Sequence, residues 1–246
     1  MIRNISNRES GFTLIELIIV IVIIGVLAAA TTTFIRFGSL IYSETTARDQ
    51  LVSSARFAIE RLNREIRNAL PNSLRLTSAN QCLEFMPIVE STIYTEIPVF
   101  PESTANTIKV IPFAVNFDSH WQAIVYPINN DDVYTNNGKK YDVNTIDTTG
   151  PEWVITLAEA SVFTEHSPTQ HMYFIEDTAK VTYCLTENTL TKNGILMAEN
   201  IYNTRNPFEI MEATLQRNAM VQIHLQFEKN NEHITFNNEV QVLNVP

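Results

Sequence analysis

The stretch GFTLIE, Gly11–Glu16, opens an apolar run that continues to Ile35. Between Phe12 and Ile35 the only charged side chain is Glu16, and there is no proline. At about 1.5 Å per residue, a helix over this run covers roughly 36 Å, which is enough to cross a hydrocarbon core of ~30 Å. We therefore predict a membrane-spanning helix over residues 12–36.

The segment that precedes this run, residues 1–11, is short, polar and slightly basic. A secretory signal peptide carries its apolar region before the cleavage site. Here the apolar region follows Gly11, so a cut after Gly11 would leave the helix on the mature chain. Arg3 and Arg8 precede the helix, and acidic residues dominate beyond it. This asymmetry predicts a single-pass topology with the N-terminus in the cytoplasm and the C-terminal bulk outside it.

Glu16 is the one carboxylate within the apolar run. An ionised glutamate in a membrane helix is costly unless it is paired, so it marks a functional position. Cleavage after Gly11 would create a free α-amino group on Phe12, which is the nearest available cation. That amine could neutralise Glu16 within one chain or between stacked chains. The alternative is that the Glu16 side chain reaches the lipid headgroups from a position near the membrane boundary.

The leader, the glycine, the phenylalanine, the glutamate and the apolar helix occur in one register, which resembles the class III signal of type IV prepilins and pseudopilins. The resemblance implies that a prepilin peptidase cleaves after Gly11 and methylates Phe12, and that Glu16, at the fifth mature position, acts in assembly. It also implies a structural subunit of the inner membrane with a periplasmic C-terminal domain, which later enters a filament or its tip. The implied partners are other major and minor pilins bound through the N-terminal helix, the prepilin peptidase and an inner-membrane assembly platform.

A narrower resemblance involves the segments Ala55–Leu76, Cys82–Ile88 and Val240–Pro246. These segments resemble O-type minor pilins of mannose-sensitive haemagglutinin (MSHA) pilus biogenesis, which implies a minor subunit that helps to initiate assembly. The J-type pseudopilins of type II secretion are similar around the end of the helix and are the alternative. A membrane-anchored periplasmic binding protein or enzyme is the alternative from a different class.

Beyond residue 36 the pattern predicts an amphipathic helix within residues 37–71. Apolar residues recur at spacings of three and four, and Pro71 ends the pattern. Unbroken, the helix from Phe12 to Leu70 would be about 90 Å long, with Gly25, Gly38 and the threonines at 31–33 as weak points. On the charged face, Glu60 with Arg64 and Arg61 with Glu65 are expected to form (i, i+4) pairs. The apolar positions are Leu51, Ala55, Ile59, Leu62, Ile66 and Leu70.

From residue 72 onward the pattern predicts strands. Alternation is clearest where Val221, Ile223, Leu225 and Phe227 share one face. We predict an α+β fold in which the long N-terminal helix packs on a mostly antiparallel β domain, 72–246, with a variable insertion at about 98–167. The strand candidates are Leu74–Thr77, Cys82–Ile88, Ile108–Ile111, Gln122–Val125, Trp153–Leu157, Met172–Ile175, Val181–Leu185, Ile195–Ala198, Ile210–Thr214, Ala219–Glu228, His233–Phe236 and Glu239–Val245.

The chain has two cysteines, Cys82 and Cys184, and both lie in predicted strands. An even pair in a domain beyond a membrane anchor predicts one disulfide in an oxidising compartment. The alternative is a pair of buried thiols that do not meet.

Charge and motifs exclude several classes of function. The formal net charge is −10, and a surface this acidic repels phosphate backbones, so we expect no nucleic-acid partner. The sequence contains no G-x-S-x-G, no Walker A motif, no G-x-G-x-x-G and no H-E-x-x-H. We therefore predict no catalytic residue, no metal site and no cofactor.

Two stretches leave alternatives open. The polar stretch from Asn129 to Lys140 could offer oxygen ligands to Ca²⁺, but its composition favours turns. Trp121 and Trp153 could bind a surface or a sugar, but packing in the core is the favoured interpretation.

Overall fold

The computed structural model describes residues 11–114, 117–135, 139–202, 206–211, 219–230 and 232–242. The chain divides into two compact units, with the boundary between Gln50 and Leu51. One long helix is followed by antiparallel strands, so the predicted α+β class is confirmed. In chain order, the described helices are α1 (Leu14–Arg67) and α2 (Asn130–Tyr134), and the described strands are β1 (Arg75–Thr77), β2 (Cys82–Phe85), β3 (Glu90–Glu96), β4 (Ala105–Val110), β5 (Trp121–Val125), β6 (Lys140–Asp147), β7 (Trp153–Ser161), β8 (His171–Glu176), β9 (Val181–Thr186), β10 (Thr189–Lys192), β11 (Ile195–Ala198), β12 (Ile201–Tyr202), β13 (Phe208–Met211), β14 (Met220–Lys229) and β15 (Glu232–Gln241).

Helix α1 is shorter at both ends than the predicted helix from Phe12 to Leu70. At its C-terminal end, the backbone N–H of Leu70 donates to the carbonyl of Met86 at 2.8 Å, so the chain has already left the helix before Pro71. The helix continues through the glycines and threonines that were expected to weaken it. The threonine hydroxyls at 31–33 each donate to the carbonyl four residues earlier, at 2.7–3.0 Å, which satisfies them within the helix.

Two sheets of the second unit form one core with the buried stripe of α1. The first sheet has the order β1-β2-β9-β10-β11; in the second, β14 pairs with β12, β13 and β15. The predicted inward face of β14 is confirmed, because its four odd-numbered apolar residues are fully buried. The two strands predicted after it are one continuous strand, β15, which pairs with β14 along its whole length. The buried residues of the α1 stripe are Leu51, Ala55, Ala58, Ile59, Leu62 and Ile66.

Strands β3 to β8 form a closed barrel in the order β3-β4-β7-β6-β5-β8. The barrel lies between β2 and β9 in the chain, and the stretch 98–167 contributes β4 to β7. Trp121 is 4% exposed and packs in the barrel core, which confirms the core interpretation for this residue. Trp153 is half-buried, with its ring 5.3 Å from that of Phe113. The barrel therefore has its own core within the second unit.

Candidate functional site

The start of α1 is capped by Thr13. Its carbonyl accepts from the backbone N–H groups of Glu16 at 3.1 Å and Leu17 at 3.2 Å, and its hydroxyl accepts from Glu16 at 3.4 Å. A threonine at the N-cap satisfies one of the free N–H groups of the first turn. Sequence reasoning passed over Thr13, although Thr-x-x-Glu before an apolar run is the signature of such a cap.

Glu16 lies in the first turn of α1 and is exposed. A carboxylate here is favoured by the positive end of the helix dipole, but only by about 0.3–1 kcal/mol. Within the described part of the chain, Glu16 makes no ion pair. Its carboxylate is therefore open to a cation from another molecule or from a newly made N-terminus.

Gly11 and Phe12 lie immediately before the cap. Phe12 is 74% exposed, and a Cβ added to Gly11 would meet nothing within 4 Å. Packing among the described residues therefore does not require glycine at position 11. Residues 1–10, which form the rest of the predicted leader, lie outside the described residues.

The first half of α1 presents a continuous apolar surface. This is the one described helix that is long and apolar enough to cross a membrane by length and composition, and none of its most apolar window is buried. From Leu14 to Ile35 it covers about 33 Å, close to the thickness of a hydrocarbon core. An exposed apolar surface of this extent marks a membrane or helix-packing site. It is compatible with a membrane anchor.

The second half of α1 is fastened to the first sheet through Glu65. Its carboxylate accepts from Tyr183 Oη at 2.8 Å, Lys192 Nζ at 2.8 Å and Arg61 Nε at 3.1 Å. Burial alone would raise the pKa of Glu65, but these three hydrogen bonds hold the pKa below its ordinary value. The expected Arg61–Glu65 pair is thus part of a larger network. The prediction of a Glu60–Arg64 pair was wrong, since these two described side chains form no ion pair.

Replacing Glu65 with glutamine should lower the free energy of unfolding by about 2–3 kcal/mol, because it leaves two partly buried cations without their carboxylate. Urea unfolding of the full chain in detergent micelles, followed by far-ultraviolet circular dichroism, measures the loss. The matched control is Glu60→Gln, an exposed position on the same helix, with an expected change within about 0.5 kcal/mol. Equal effects of the two variants would contradict the assigned network.

The Glu65 contribution should also depend on pH. The pKa of Glu65 is lower in the folded chain than in the unfolded chain, where it is about 4.3. The ionised Glu65 therefore stabilises the fold at any pH above about 4.3. This stabilisation is lost as the pH falls through the lower pKa of the folded chain. The stability difference between the native chain and Glu65→Gln should therefore shrink below about pH 4. A difference that stays constant from pH 7 to acid would argue against an ionised Glu65.

A second carboxylate with several partners is Glu84, which is buried on β2 of the first sheet. Glu84 binds Arg75, Lys180 Nζ at 3.1 Å and the hydroxyl of Thr182 at 3.2 Å. Burial raises the pKa of Glu84, but Lys180 and Arg75 outweigh it and lower that pKa overall. Arg75 also lies 3.7 Å from the ring centre of Tyr134 in α2. This cluster joins the strands of the first sheet to the barrel segment.

Cys82 and Cys184 are joined by a disulfide, as predicted. They face each other directly on β2 and β9, on the side of the sheet opposite to Leu83 and Tyr183. The bond closes a loop that contains the whole barrel, so it lies at the base of that insertion.

Other candidate sites have structural roles where they are described. The side chain of Asn129 accepts a hydrogen bond from the backbone N–H of Asp132, and the carboxylate of Asp132 accepts one from the backbone N–H of Asn129. The start of the polar stretch is therefore a capped helix, α2. Residues 136–138 of that stretch lie outside the described residues. In the ranges that the structure describes, no group of three or more His, Cys, Asp or Glu side chains could hold a metal ion.

Comparison with known proteins identifies one part of the chain. Residues 6–32 match the family model described as the Prokaryotic N-terminal methylation motif. No curated protein and no solved structure gives a significant match. The matched residues include Gly11, Phe12 and Glu16 and more than half of the apolar surface of α1. The chain therefore carries a prepilin-type methylation motif at the start of an apolar helix, which supports a type IV pilin-like or pseudopilin-like protein.

Proposed function

We propose that this chain is a structural subunit of a type IV pilus, specifically a minor pilin of the MSHA type that acts in assembly or initiation. The observation that carries the proposal is the methylation motif at residues 6–32, which ends within an exposed apolar helix. The runner-up is a J-type pseudopilin of type II secretion, since it would share the same N-terminal features. A membrane-anchored periplasmic binding protein or enzyme is the alternative from a different class.

The mechanism begins in the inner membrane, with the N-terminus in the cytoplasm and the β domain in the periplasm. A prepilin peptidase hydrolyses the peptide bond after Gly11, which releases the leader with a carboxylate on Gly11 and leaves an amine on Phe12. A methyl donor bound by that enzyme then gives its methyl group to the amine, which loses one proton. The methylated amine still binds a proton, so it keeps its positive charge. Gly11 and Phe12 are exposed, and no described residue packs where a Cβ on Gly11 would lie; both observations support this assignment.

Assembly then exchanges lipid for other helices around α1. The amine of Phe12 pairs with Glu16 of a neighbouring subunit, so the carboxylate remains neutralised when it leaves the headgroup region. Other pilins supply the neighbouring helices, and an inner-membrane assembly platform moves the subunit into the filament or its tip. No cofactor and no nucleic acid take part, and the β domain acts as a structural module.

The experiment is an N-terminal mass measurement on the chain from cells with an active prepilin peptidase. We expect a chain that begins at Phe12 and carries one additional methyl group. The variant Gly11→Val should retain the leader, whereas Gly25→Val should be processed normally. Among the residues that the structure describes, none lies within 4 Å of a Cβ added to either glycine. A native chain that keeps Met1 in these cells would overturn the proposal in favour of an uncleaved anchor.

A second measurement separates the two filament systems. Deleting the gene for this chain should reduce the number of surface pili and leave type II secretion of exported enzymes unchanged. A secretion defect with normal pili would instead assign the chain to the pseudopilins.

A further inference from the structure

An open groove of about 690 Å³ lies in the second unit, between the C-terminal end of α1 and strands β2, β9 and β10. Its floor includes Phe85 and Val181, which are paired residues on the face of the first sheet that packs toward α1, and both side chains are already buried. Arg64, Arg67 and Lys192 also line it. We call this feature the basic groove.

The basic groove is positive on a strongly acidic chain. Arg64 and Arg67 are exposed, and neither forms an ion pair with any described side chain. Glu65 is the one carboxylate that lines the groove, and it already accepts from both Arg61 and Lys192. Two arginines are therefore left to attract an anion, while the chain as a whole has a formal charge of −10.

An exposed apolar side chain lies at the edge of the sheet, on the same face as the groove. Ile195 on β11 pairs with Lys192 across the β10–β11 hairpin, so the two residues share a face of the sheet. Ile195 is 69% exposed. Leu196 pairs with Thr191 and therefore lies on the opposite face of the sheet, away from the groove. In the described residues, β11 ends the first sheet and pairs with β10 alone. An apolar strand at an open edge beside two unpaired arginines has the character of an interaction surface.

We propose that the basic groove binds an acidic, extended segment of a partner polypeptide, with carboxylates on Arg64 and Arg67 and an apolar side chain over the exposed Ile195. Arginine binds carboxylates in a two-pronged geometry, which orients such a segment. A segment that carries both acidic and apolar residues would contact the two arginines and Ile195. A lipid headgroup phosphate would satisfy the arginines but would leave Ile195 uncovered. The binding site lies outside the methylation motif, so it does not depend on N-terminal processing.

The test uses the full chain in phosphatidylcholine nanodiscs and a fluorescein-labelled blocked hexapeptide, Glu-Val-Glu-Val-Glu-Val, with fluorescence anisotropy as the readout. We expect saturable binding that weakens with added salt. The double variant Arg64→Glu/Arg67→Glu should weaken it about tenfold or more. Ile195→Asp should weaken it as well. The control Arg48→Glu/Arg56→Glu changes the net charge by the same amount as the Arg64/Arg67 variant, at exposed positions of α1 outside the groove. It should bind the peptide like the native chain.

Several outcomes would overturn the proposal. These are the absence of saturable binding, equal loss in the two double variants, and equal binding of a Lys-Val-Lys-Val-Lys-Val peptide. Competition by phosphatidylglycerol vesicles that depends on Arg64 and Arg67, without peptide binding, would identify a lipid headgroup instead. Self-association that depends on the same arginines, without peptide binding, would identify a second copy of the chain. Cleavage after Gly11 is expected to be normal in each variant. A failure to bind the peptide would then contradict the groove proposal and leave the proposed function in place.

Discussion

Replacing Glu16 with alanine should remove the chain from filaments while leaving cleavage after Gly11 intact, under the proposed function. The change leaves the amine of Phe12 on a neighbouring subunit without a counter-charge among apolar helices, where an unpaired charge is costly. We expect the filament-bound fraction to fall at least about tenfold, which corresponds to only 1.4 kcal/mol of lost pairing. Immunoblots of sheared filaments against membranes measure the fraction, and N-terminal mass measures cleavage.

Two variants make this result specific. Glu16→Asp keeps the negative charge in the first turn of α1 and should restore part of the incorporation, whereas Glu16→Gln should behave like alanine. Glu44→Ala removes an exposed carboxylate from the same helix beyond the apolar run and should leave incorporation unchanged. Unchanged incorporation of Glu16→Ala would remove the pairing role of Glu16.

Removing the disulfide with Cys82→Ser/Cys184→Ser should lower the free energy of unfolding by about 3–5 kcal/mol. The cysteines are 102 residues apart, and a loop of that length gives about 5 kcal/mol in the chain-entropy model. However, Glu90 on β3 pairs with Phe174 on β8, so a folded barrel already closes most of the loop. If the barrel stays folded, the remaining loop has roughly 20 residues and the effect falls to about 3 kcal/mol.

Urea unfolding with two probes distinguishes these cases. Both tryptophans lie on barrel strands, so their fluorescence reports the barrel, while far-ultraviolet circular dichroism reports the whole chain. Coincident transitions with a loss near 5 kcal/mol would indicate one cooperative unit. A tryptophan transition unaffected by the variant, with a loss near 3 kcal/mol, would indicate an autonomous barrel. Reduction of the native disulfide should reproduce the variant, and a loss below about 1 kcal/mol would contradict its stabilising role.

Local patterns were sufficient for the elements whose residues interact with near neighbours in the chain. The spacing of Leu51, Ile59, Leu62 and Ile66 predicted the buried stripe of α1, because helical period alone decides which residues share a face. The alternation in β14 predicted its buried face for the same reason. Strands β3 and β6 were not predicted, because their residues are largely polar. In β6 the only buried residue is Val143.

The sequence by itself determined the methylation motif, the apolar helix and the position of its single carboxylate, since each depends on residues adjacent in the chain. Only the tertiary structure decided that β3 and β8 close a barrel, that Glu65 joins α1 to Tyr183 and Lys192, and that Arg64 and Arg67 line one groove without an ion-pair partner among the described residues. Those contacts join residues far apart in the chain. Their geometry depends on the order of the strands in each sheet, which hydrophobic periodicity does not encode.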